Sequence, residues 1–373
     1  MKKLLAVLFL GGVIASAAFL VYSKEKGAEI DLRQETGQPP HRALYYSRRP
    51  DGIVRCNLCP NRCRLAEGEI GDCRARKNIG GELYSLVYGK IAAAHVDPIE
   101  KKPFFHFLPG TKAFSIATPG CNMRCLFCQN WEISQAFPWE VQTQEVSPEG
   151  VVEAALKSGC ESIAFTYSEP VVFYEYLLDI AKQARAKGLK TVVVSNGYIN
   201  PEPLRELLRY VDAYKVDFKA FNEVFYEDLT GGSMEPVLKA MKIIRESGVW
   251  LEVVTLLVTG RNDSEEEVRA LCRWIHENLG DDVPLHFSRF HPQHKLLNLP
   301  PTPVQRVIRA RQIAIEEGLR YVYTGNVPYP EGETTYCPKS GKPAIVRQNY
   351  FVVANHLRNG QCEDGEDIPG VWP

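Results

Sequence analysis

Three cysteines, Cys121, Cys125 and Cys128, stand close together with the spacing C-x3-C-x2-C. They follow a short apolar run at residues 113–117 and a Thr-Pro-Gly turn, which predicts a loop after a β-strand. Three thiolates are one ligand short of a closed tetrahedral sulfur site. On a cubane iron–sulfur cluster they would bind three irons and leave the fourth open to a small molecule. The spacing therefore predicts a metal centre with an open position.

A zinc knuckle and a disulfide framework are the alternatives for these cysteines. Structural zinc sites commonly draw two cysteines from each of two loops, and no partner pair lies close in sequence. The spacing C-x3-C-x2-C after a strand is also a far rarer pattern than C-x2-C alone. We therefore predict an iron–sulfur cluster.

The composition describes a large chain without a charge bias. Its 373 residues are 45% hydrophobic, enough for one large α/β domain with small appendages. With 44 basic and 45 acidic residues the formal net charge is −1, which gives no argument for nucleic acid as a partner. The 11 cysteines are clustered in sequence, which favours metal ligation over disulfides.

An uncharged apolar run at residues 4–22 is about long enough to cross a bilayer as a helix. Residues 1–23 are expected to be a signal anchor or a cleaved signal peptide, and the length of the run favours the anchor. Residues 24–50 are polar and are predicted to be a linker. The lysines that flank the run slightly favour an orientation with the catalytic part on the outer side of the membrane. A low-potential cluster needs a reducing compartment, so we expect a membrane-anchored protein whose catalytic part faces the cytoplasm.

A second cysteine group lies in the predicted Cys-rich N-terminal segment, residues 51–105. Four cysteines within eighteen residues could bind zinc or a second iron–sulfur cluster. The plainer interpretation is a zinc knuckle that holds together a segment without a core of its own. The candidate ligands of this possible second metal site are Cys56, Cys59, Cys63 and Cys73.

From residue 113 to residue 323 the chain alternates short apolar, β-branched runs with amphipathic helices. This alternation predicts a parallel sheet, either doubly wound or closed as a barrel. The cysteine loop after the first strand favours the barrel, because parallel barrels carry their chemistry at the C-terminal ends of the strands. The predicted strands are residues 113–117, 162–166, 191–195, 213–218, 250–258, 285–290 and 320–324.

Polar residues follow the predicted strands at their C-terminal ends. Each is weak evidence alone, because an Asn-Gly is usually a turn and a nearby Asp and Lys can be a plain ion pair. Their recurrence around one open-cluster motif predicts a common site. The candidates are Glu169, Ser195, Asn196, Asp217, Lys219 and His291.

The cysteine motif, with the aromatic Phe127 before its last cysteine, resembles the radical S-adenosylmethionine (SAM) signature C-x3-C-x-φ-C. Over residues 56–350 the chain resembles the radical SAM enzymes of the AmmeMemoRadiSam system, which are relatives of the pyruvate formate-lyase activating enzymes. The resemblance implies a partial (β/α)6 TIM-type barrel, residues 106–326, that holds a [4Fe-4S] cluster. The stretches that carry it are residues 56–73, 97–103, 121–131, 166–170, 216–219 and 321–327.

The resemblance also implies an activity. A radical SAM enzyme cleaves SAM reductively at the cluster to a 5′-deoxyadenosyl radical, which abstracts hydrogen from a substrate. Phe127 would hold the adenine, Glu169 would accept hydrogen bonds from the SAM amino group, and His291 would face the substrate. The contacts to the ribose or the methionine carboxylate would come from Ser195, Asn196, Asp217 and Lys219.

The implied partners are an electron donor such as ferredoxin or flavodoxin, and a protein substrate or companion proteins of the AmmeMemo type. One alternative is a glycyl-radical-enzyme activating enzyme, which acts on a glycine of a large partner. Another is a non-catalytic, membrane-tethered iron–sulfur or zinc protein. A doubly wound methyltransferase is less favoured, because the first strand lacks a Gly-rich loop.

The C-terminal extension, residues 327–373, departs from the family. The family usually carries C-x2-C pairs of a zinc-ribbon type, whereas Ser340 stands where the second cysteine of the first pair is expected. Two thiolates cannot make a four-cysteine zinc site, so this degenerate element is expected to lack metal. Cys337 and Cys362 are then either bystanders or, in an exported domain, a disulfide pair.

Overall fold

Short antiparallel strands surround the N-terminal cysteines. The computed structural model describes residues 40–372. Two three-stranded sheets have the orders β1-β6-β5 and β2-β3-β4, and their strands are β1 His41–Arg42, β2 Tyr46–Arg48, β3 Val54–Cys56, β4 Arg64–Leu65, β5 Arg76–Ile79 and β6 Glu82–Ser85. Residues 41–48, predicted as linker, therefore form β1 and β2, while residues 24–39 lie outside the described residues.

The apolar, β-branched runs form the main sheet, and all seven predicted strands are present. After β7 (Lys90–Ile91), the strands of this part of the chain are β8 Ala93–Pro98, β9 Lys112–Ala117, β10 Gln144–Glu145, β11 Ser162–Phe165, β12 Lys190–Ser195, β13 Ala213–Asp217, β14 Trp250–Leu257, β15 Leu285–Arg289 and β16 Val322–Gly325. The main sheet has the order β16-β15-β14-β13-β12-β11-β9-β8, parallel except for β8. Within residues 40–372 its edge strands β16 and β8 do not pair, so the barrel is partial.

Helices cross between the parallel strands, as the alternating pattern predicts. Their starts are capped where the sequence indicates it: Ser147 accepts from the amide of Gly150 (3.1 Å) and Ser264 from the amide of Glu267 (3.2 Å). The helices are α1 Trp131–Ser134, α2 Pro148–Lys157, α3 Tyr174–Ala186, α4 Pro201–Leu207, α5 Glu223–Phe225, α6 Met234–Ser247, α7 Glu265–Leu279 and α8 Val304–Glu316.

The segment between β8 and β9 fills the barrel at the N-terminal half of the strands. Ile99, Phe104 and Phe107 are fully buried there against small and β-branched strand residues. Glu252 of β14 accepts hydrogen bonds from the amides of Phe105 (3.0 Å) and His106 (2.9 Å). This packing closes one end of the barrel and leaves the C-terminal ends of the strands for a site.

The C-terminal extension forms a small antiparallel sheet, with β17 (Thr335–Tyr336), β18 (Pro343–Gln348) and β19 (Phe351–Asn355). Cys337 and Cys362 are joined by a disulfide, so of the two sequence-based alternatives the structure has the pair. The disulfide packs with Phe105 and Tyr323, which ties the extension to the barrel.

The prediction of a membrane-spanning helix is corrected. Within residues 40–372 no helix has both the length and the apolar character needed to cross a membrane. The predicted span, residues 4–22, lies outside the described residues. In the part that the structure describes, the fold is therefore α/β without a membrane-spanning helix. The predicted membrane-anchored localisation is withdrawn.

Candidate functional site

A cavity of about 920 Å³ lies at the C-terminal ends of the parallel strands. It is lined by all three motif cysteines and by nearly all the sequence-predicted candidates: Cys121, Cys125, Phe127, Cys128, Glu169, Ser195, Asn196, Asp217 and Lys219. His291 is the exception, because it is exposed and does not line this cavity. The position of His291 therefore does not support the prediction that it faces the site. The other candidates converge because parallel strands share one direction, which brings their C-terminal ends together.

Residues 226–231 hold the cysteine loop in place. The amides of Arg124 and Leu126 donate to the carbonyl oxygens of Thr230 and Leu229, each at 2.8 Å. These acceptors lie in a π-helical turn, Tyr226–Thr230, which ends at Gly231 in the left-handed conformation (φ 68°). A π-helical turn leaves carbonyl groups outside the usual helical pattern, and here the loop amides use them. The backbone of the motif is thereby fixed independently of any bound group.

The sulfurs have the character of ligands. Desolvation raises the pKa of Cys121, and it raises the pKa of Cys125 to about 12 despite the nearby Lys219 ammonium. The amide of Met123 donates to Cys121 Sγ (3.4 Å), and Ser134 Oγ lies 3.2 Å from Cys128 Sγ. A bound metal would supply the positive charge that these thiolates otherwise lack.

The spacing of the sulfurs argues against a single zinc ion. Two sulfurs on one zinc lie at most about 4.6 Å apart, twice the Zn–S distance of about 2.3 Å. Within residues 40–372 the only three potential ligand atoms within 4.8 Å of one another belong to Cys337, Cys362 and Asp364, and two of those are the disulfide. In a cubane cluster each thiolate binds a different iron, so wider spacing is expected. Three thiolates supply three of the four ligands that a cubane takes, so these residues fit a [4Fe-4S] cluster.

Glu169 is the buried carboxylate of the cavity, 2% exposed. One oxygen accepts from Ser195 Oγ (2.7 Å) and from the amide of Val171 (3.1 Å), and the other accepts from the amide of Asn196 (2.9 Å). Burial raises the pKa of Glu169 to about 7, against these hydrogen bonds, which lower it. Since a carboxylate has about four acceptor positions, one is left for a cationic ligand.

Asn196 connects the carboxylate to the cysteine loop. Its Nδ2 donates to Asn122 Oδ1 (2.9 Å) and lies 3.9 Å from Cys121 Sγ. Asn122 Nδ2 in turn donates to the carbonyl oxygen of Tyr198 (2.7 Å). The loops after β9 and β12 therefore keep one relative position.

Two lysines flank Asp217 at the end of β13. Lys215, which is 4% exposed, pairs with one carboxylate oxygen, and Lys219 Nζ lies 3.1 Å from the other. Burial alone would raise the pKa of Asp217, but the two ammonium groups hold it well below its usual range. Lys215 was not predicted, although its spacing of two from Asp217 places both on one face of the strand.

A second charged group enters the cavity from the loop after β8. Lys102 is 3% exposed and donates to Asp97 (2.5 Å), and its ammonium lies 4.2 Å from the centre of the Tyr167 ring. Burial lowers the pKa of Lys102 to about 8, against the attraction of Asp97. Tyr167 also hydrogen-bonds Asp97 and has a positive φ of 63°, an uncommon conformation that is often found at functional sites. Residues 97–103 carried the family resemblance but no predicted role.

The C-terminal extension supplies the remaining wall. Arg347 and Tyr350 both line the cavity, and Tyr350 OH donates to Asn326 Oδ1 (3.1 Å). Arg347 is 1% exposed and donates to the carbonyl oxygen of Phe105 (2.6 Å), which is far away in sequence. Nothing local in the sequence identifies these residues as part of the site.

The four N-terminal cysteines come together elsewhere. Cys56, Cys59, Cys63 and Cys73 line a second, small cavity beside the cysteine loop. The structure thus brings the second predicted group together, separately from the first.

A sequence model of the radical SAM superfamily matches residues 115–275, from β9 into α7. An uncharacterized protein of Methanocaldococcus jannaschii is 47% identical over 305 residues, which cover 82% of this chain and 91% of that protein. The chain belongs to the radical SAM superfamily. Members of this superfamily are enzymes that use SAM and a [4Fe-4S] cluster, in accord with the cavity and its three cysteines.

More distant similarities run to proteins with named activities. The pyruvate formate-lyase-activating enzyme of Clostridium pasteurianum is 25% identical over 166 residues, 42% of this chain and 66% of that enzyme. Among solved structures, a radical SAM methyltransferase from Sphaerobacter thermophilus has a TM-score of 0.46 at 18% identity, covering 58% of this chain and 67% of that one.

Proposed function

We propose that this radical SAM enzyme cleaves SAM reductively and uses the resulting radical to take a hydrogen atom from a substrate. One cavity contains both the three cysteines and the buried carboxylate of Glu169. The three cysteines leave one ligand position of a cluster open beside that carboxylate, and this arrangement carries the proposal. When bound to the three cysteines, the [4Fe-4S] cluster supplies the electron that cleaves SAM. The protein supplies binding, orientation and exclusion of water.

Glu169 is proposed to bind the SAM ammonium group. Ser195 and the amide of Asn196 hold its carboxylate in one orientation, which leaves an acceptor toward the cavity. Phe127, which is 4% exposed and lies 5.7 Å from the ring of Phe225, is proposed to hold the adenine. Lys219, held by Asp217, offers an ammonium group to the methionine carboxylate.

The substrate is proposed to enter on the side of the C-terminal extension. Asn326 and Tyr350 line that side, while Phe105 and Arg347 lie together at the inner end of the cavity. A radical generated near the cysteines would therefore meet a substrate inside a walled cavity, where water is excluded. Companion proteins of the AmmeMemo type are proposed as partners on the resemblance of residues 97–103 and 321–327.

Activation of a glycyl-radical partner is the second candidate. It is favoured by the relatives named pyruvate formate-lyase-activating enzymes, which are 24–25% identical over 42–46% of this chain. The expected product would be a carbon-centred radical on a glycine of the partner, visible by electron paramagnetic resonance (EPR). Its absence after SAM cleavage, with the partner protein present, would leave the first proposal in place and remove this one.

The deciding experiment uses the full chain, reconstituted without oxygen, reduced with dithionite and given SAM. We expect 5′-deoxyadenosine and methionine in the wild type and none from Cys121→Ala. Cys160→Ala is the matched control, because Cys160 is buried and does not line the cavity, and it should keep the activity. A fully loaded wild type that releases no 5′-deoxyadenosine would favour the non-catalytic iron–sulfur alternative.

A further inference from the structure

Four cysteines in the N-terminal segment have the surroundings of metal-bound thiolates. They are Cys56, Cys59, Cys63 and Cys73, and all but Cys63 are buried. None of them forms a disulfide, although all line one small cavity. Four free cysteines that line one cavity are a suitable set of thiolate ligands for a metal centre.

The four sulfurs are not arranged as a single-zinc site in this structure. No three of Cys56, Cys59, Cys63 and Cys73 have sulfurs within 4.8 Å of one another. One zinc ion would need every pair within about 4.6 Å. A cubane cluster instead places each thiolate on its own iron, and four cysteines complete its ligand set.

A buried positive charge lies beside this group. Arg76 is 1% exposed, and its Nη1 lies 4.0 Å from Cys56 Sγ. It also pairs with the buried Glu175, and its Nε has no hydrogen-bond partner within the described part of the chain. Four thiolates around a cluster carry net negative charge, and Arg76 offsets only part of it because Glu175 shares the guanidinium.

The two cysteine groups are in direct backbone contact. Gly120, which precedes Cys121, lies so close to Cys73 that a Cβ on Gly120 would come within 2.5 Å of the Cys73 carbonyl oxygen. Asn61 Nδ2 donates to the carbonyl oxygen of Asn122 (2.9 Å). Asn122 lines the second cavity and also accepts from Asn196, which reaches Cys121. One short chain of hydrogen bonds therefore joins both sites.

We propose that Cys56, Cys59, Cys63 and Cys73 bind a second [4Fe-4S] cluster, through which electrons enter the SAM-cleaving site. One electron passes from an external one-electron donor to the second cluster, and then to the cluster on the three motif cysteines. The second cluster is reduced and reoxidised in turn, and no bond is made or broken in the transfer. The relay rests on the proposed function, whereas the metal site itself does not.

The surface around the second group suits an acidic electron-carrier protein. Cys63 is only partly buried, and its neighbours Arg62 and Arg64 are exposed. Arg64 pairs in register with the exposed Arg55 across β3 and β4. None of these three arginines forms an ion pair within the described residues. These exposed arginines would steer an acidic partner toward this redox centre, although the exposed carboxylate of Asp72 also lies near Cys63.

The metal is tested without any activity measurement. The full-length triple variant Cys121→Ala/Cys125→Ala/Cys128→Ala removes the first site and leaves the second group intact. After anaerobic reconstitution with iron and sulfide we expect about four irons per chain and the EPR signal of a reduced [4Fe-4S] cluster. SAM should not change that signal. One bound zinc and no iron, or no bound metal, would overturn the proposal.

The relay is tested with two reductants. In Cys56→Ser/Cys63→Ser, 5′-deoxyadenosine formation with dithionite should continue, while formation with reduced flavodoxin should fall about tenfold or more. Because that variant can misfold, Arg62→Glu/Arg64→Glu is the second test. It should keep full iron and dithionite-driven activity, and raise KM for flavodoxin in a salt-dependent way. Unchanged flavodoxin kinetics in both variants would overturn the relay.

The two proposals fail in different ways. If the wild type makes no 5′-deoxyadenosine with either reductant, the proposed function fails, yet the triple variant still decides the second cluster. If the wild type is active and the triple variant binds no iron, only the second cluster is lost.

Discussion

The properties of Glu169 follow from its surroundings more than from its chemical type. The carboxylate is 2% exposed, and burial raises its pKa to about 7 although three groups donate to it. A carboxyl group in this state exchanges its proton near neutral pH. A SAM ammonium beside it would favour the charged form, so binding and deprotonation are coupled.

SAM affinity is therefore expected to depend on pH in a defined direction. Below pH 7 Glu169 is increasingly protonated and loses charge, so affinity should rise with pH up to about 7 and then level off. Glu169→Gln should bind SAM about tenfold more weakly, which is the loss of one charged hydrogen bond, and without this pH dependence. Equilibrium dialysis with the reconstituted protein measures both.

The control for this prediction is Glu153→Gln, since Glu153 is exposed on α2 and far from the cavity. It should leave SAM affinity and its pH profile unchanged. A Glu169→Gln variant with wild-type affinity at every pH would remove Glu169 from the site.

At the scale of elements, the loop that bears the cysteines depends on close backbone contacts. Gly120 has φ 101°, and a Cβ there would lie 2.5 Å from the carbonyl oxygen of Cys73. The contact is with backbone, which cannot move aside as the end of a side chain can. The conformation and the contact both require glycine at this position.

Gly120→Ala is expected to lower the free energy of unfolding and the iron content of the reconstituted protein together. Gly159→Ala is the matched control, because Gly159 also has a positive φ (61°) but nothing within 4 Å of the added Cβ. Gly159→Ala should lower the free energy of unfolding by about 1 kcal/mol, because of the backbone conformation alone. Urea unfolding and iron analysis compare the two, and equal losses would contradict the role of the Cys73 contact.

A second element-scale feature is the ion pair that anchors the C-terminal sheet. Arg347 of β18 and Glu100 of the segment between β8 and β9 are both fully buried, and their closest charged atoms lie 3.6 Å apart. Arg347 also lies 4.2 Å over the Phe105 ring. Removal of one partner leaves a buried charge without compensation.

Arg347→Met should therefore lower the free energy of unfolding by about 3–5 kcal/mol, because Glu100 is left buried and unpaired. The double variant Glu100→Gln/Arg347→Met should recover part of that loss, since both charges are then gone. Chemical denaturation of the wild type, the single variants Glu100→Gln and Arg347→Met, and the double variant measures the coupling. If the double variant loses as much as the sum of the single changes, the two residues do not act as a pair.

At the scale of the whole molecule, buried histidines join the barrel to its inner segment. His106 is fully buried, with Nδ1 2.8 Å from the carbonyl oxygen of Pro369 and Nε2 2.6 Å from Tyr323 OH. His286 Nε2 lies 2.7 Å from Glu252, which also binds the amides of Phe105 and His106. Burial lowers the pKa of His106 to about 4 and also lowers that of His286.

The lowered pKa of His106 predicts a destabilising contribution from this residue in mild acid. The unfolded chain takes up protons near pH 6.5, whereas the folded chain keeps His106 neutral down to about pH 4. The contribution of His106 to the free energy of unfolding should therefore fall by up to about 3 kcal/mol as the pH drops from about 6.5 to about 4, while the raised pKa of Glu169 acts in the opposite direction. His106→Gln should flatten this dependence, measured by thermal or urea unfolding across that range. The same slope in wild type and variant would contradict the assignment.

The cysteine spacing, the seven strands and most polar strand ends were predictable from the sequence alone. Each is a local pattern: a C-x3-C-x2-C run, short apolar runs that alternate with amphipathic helices, and a polar residue directly after a strand. Parallel strands share one direction, so local positions such as Glu169 and Asp217 translate into one common site.

Only the tertiary structure decided which distant residues complete the cavity. Arg347 meets Phe105 across 242 residues of sequence, and Lys102 meets Tyr167 across the first two strands of the barrel. It also placed His291 outside the cavity and joined Cys337 to Cys362. Such contacts depend on how the sheet curves and where the extension packs, which no local pattern encodes.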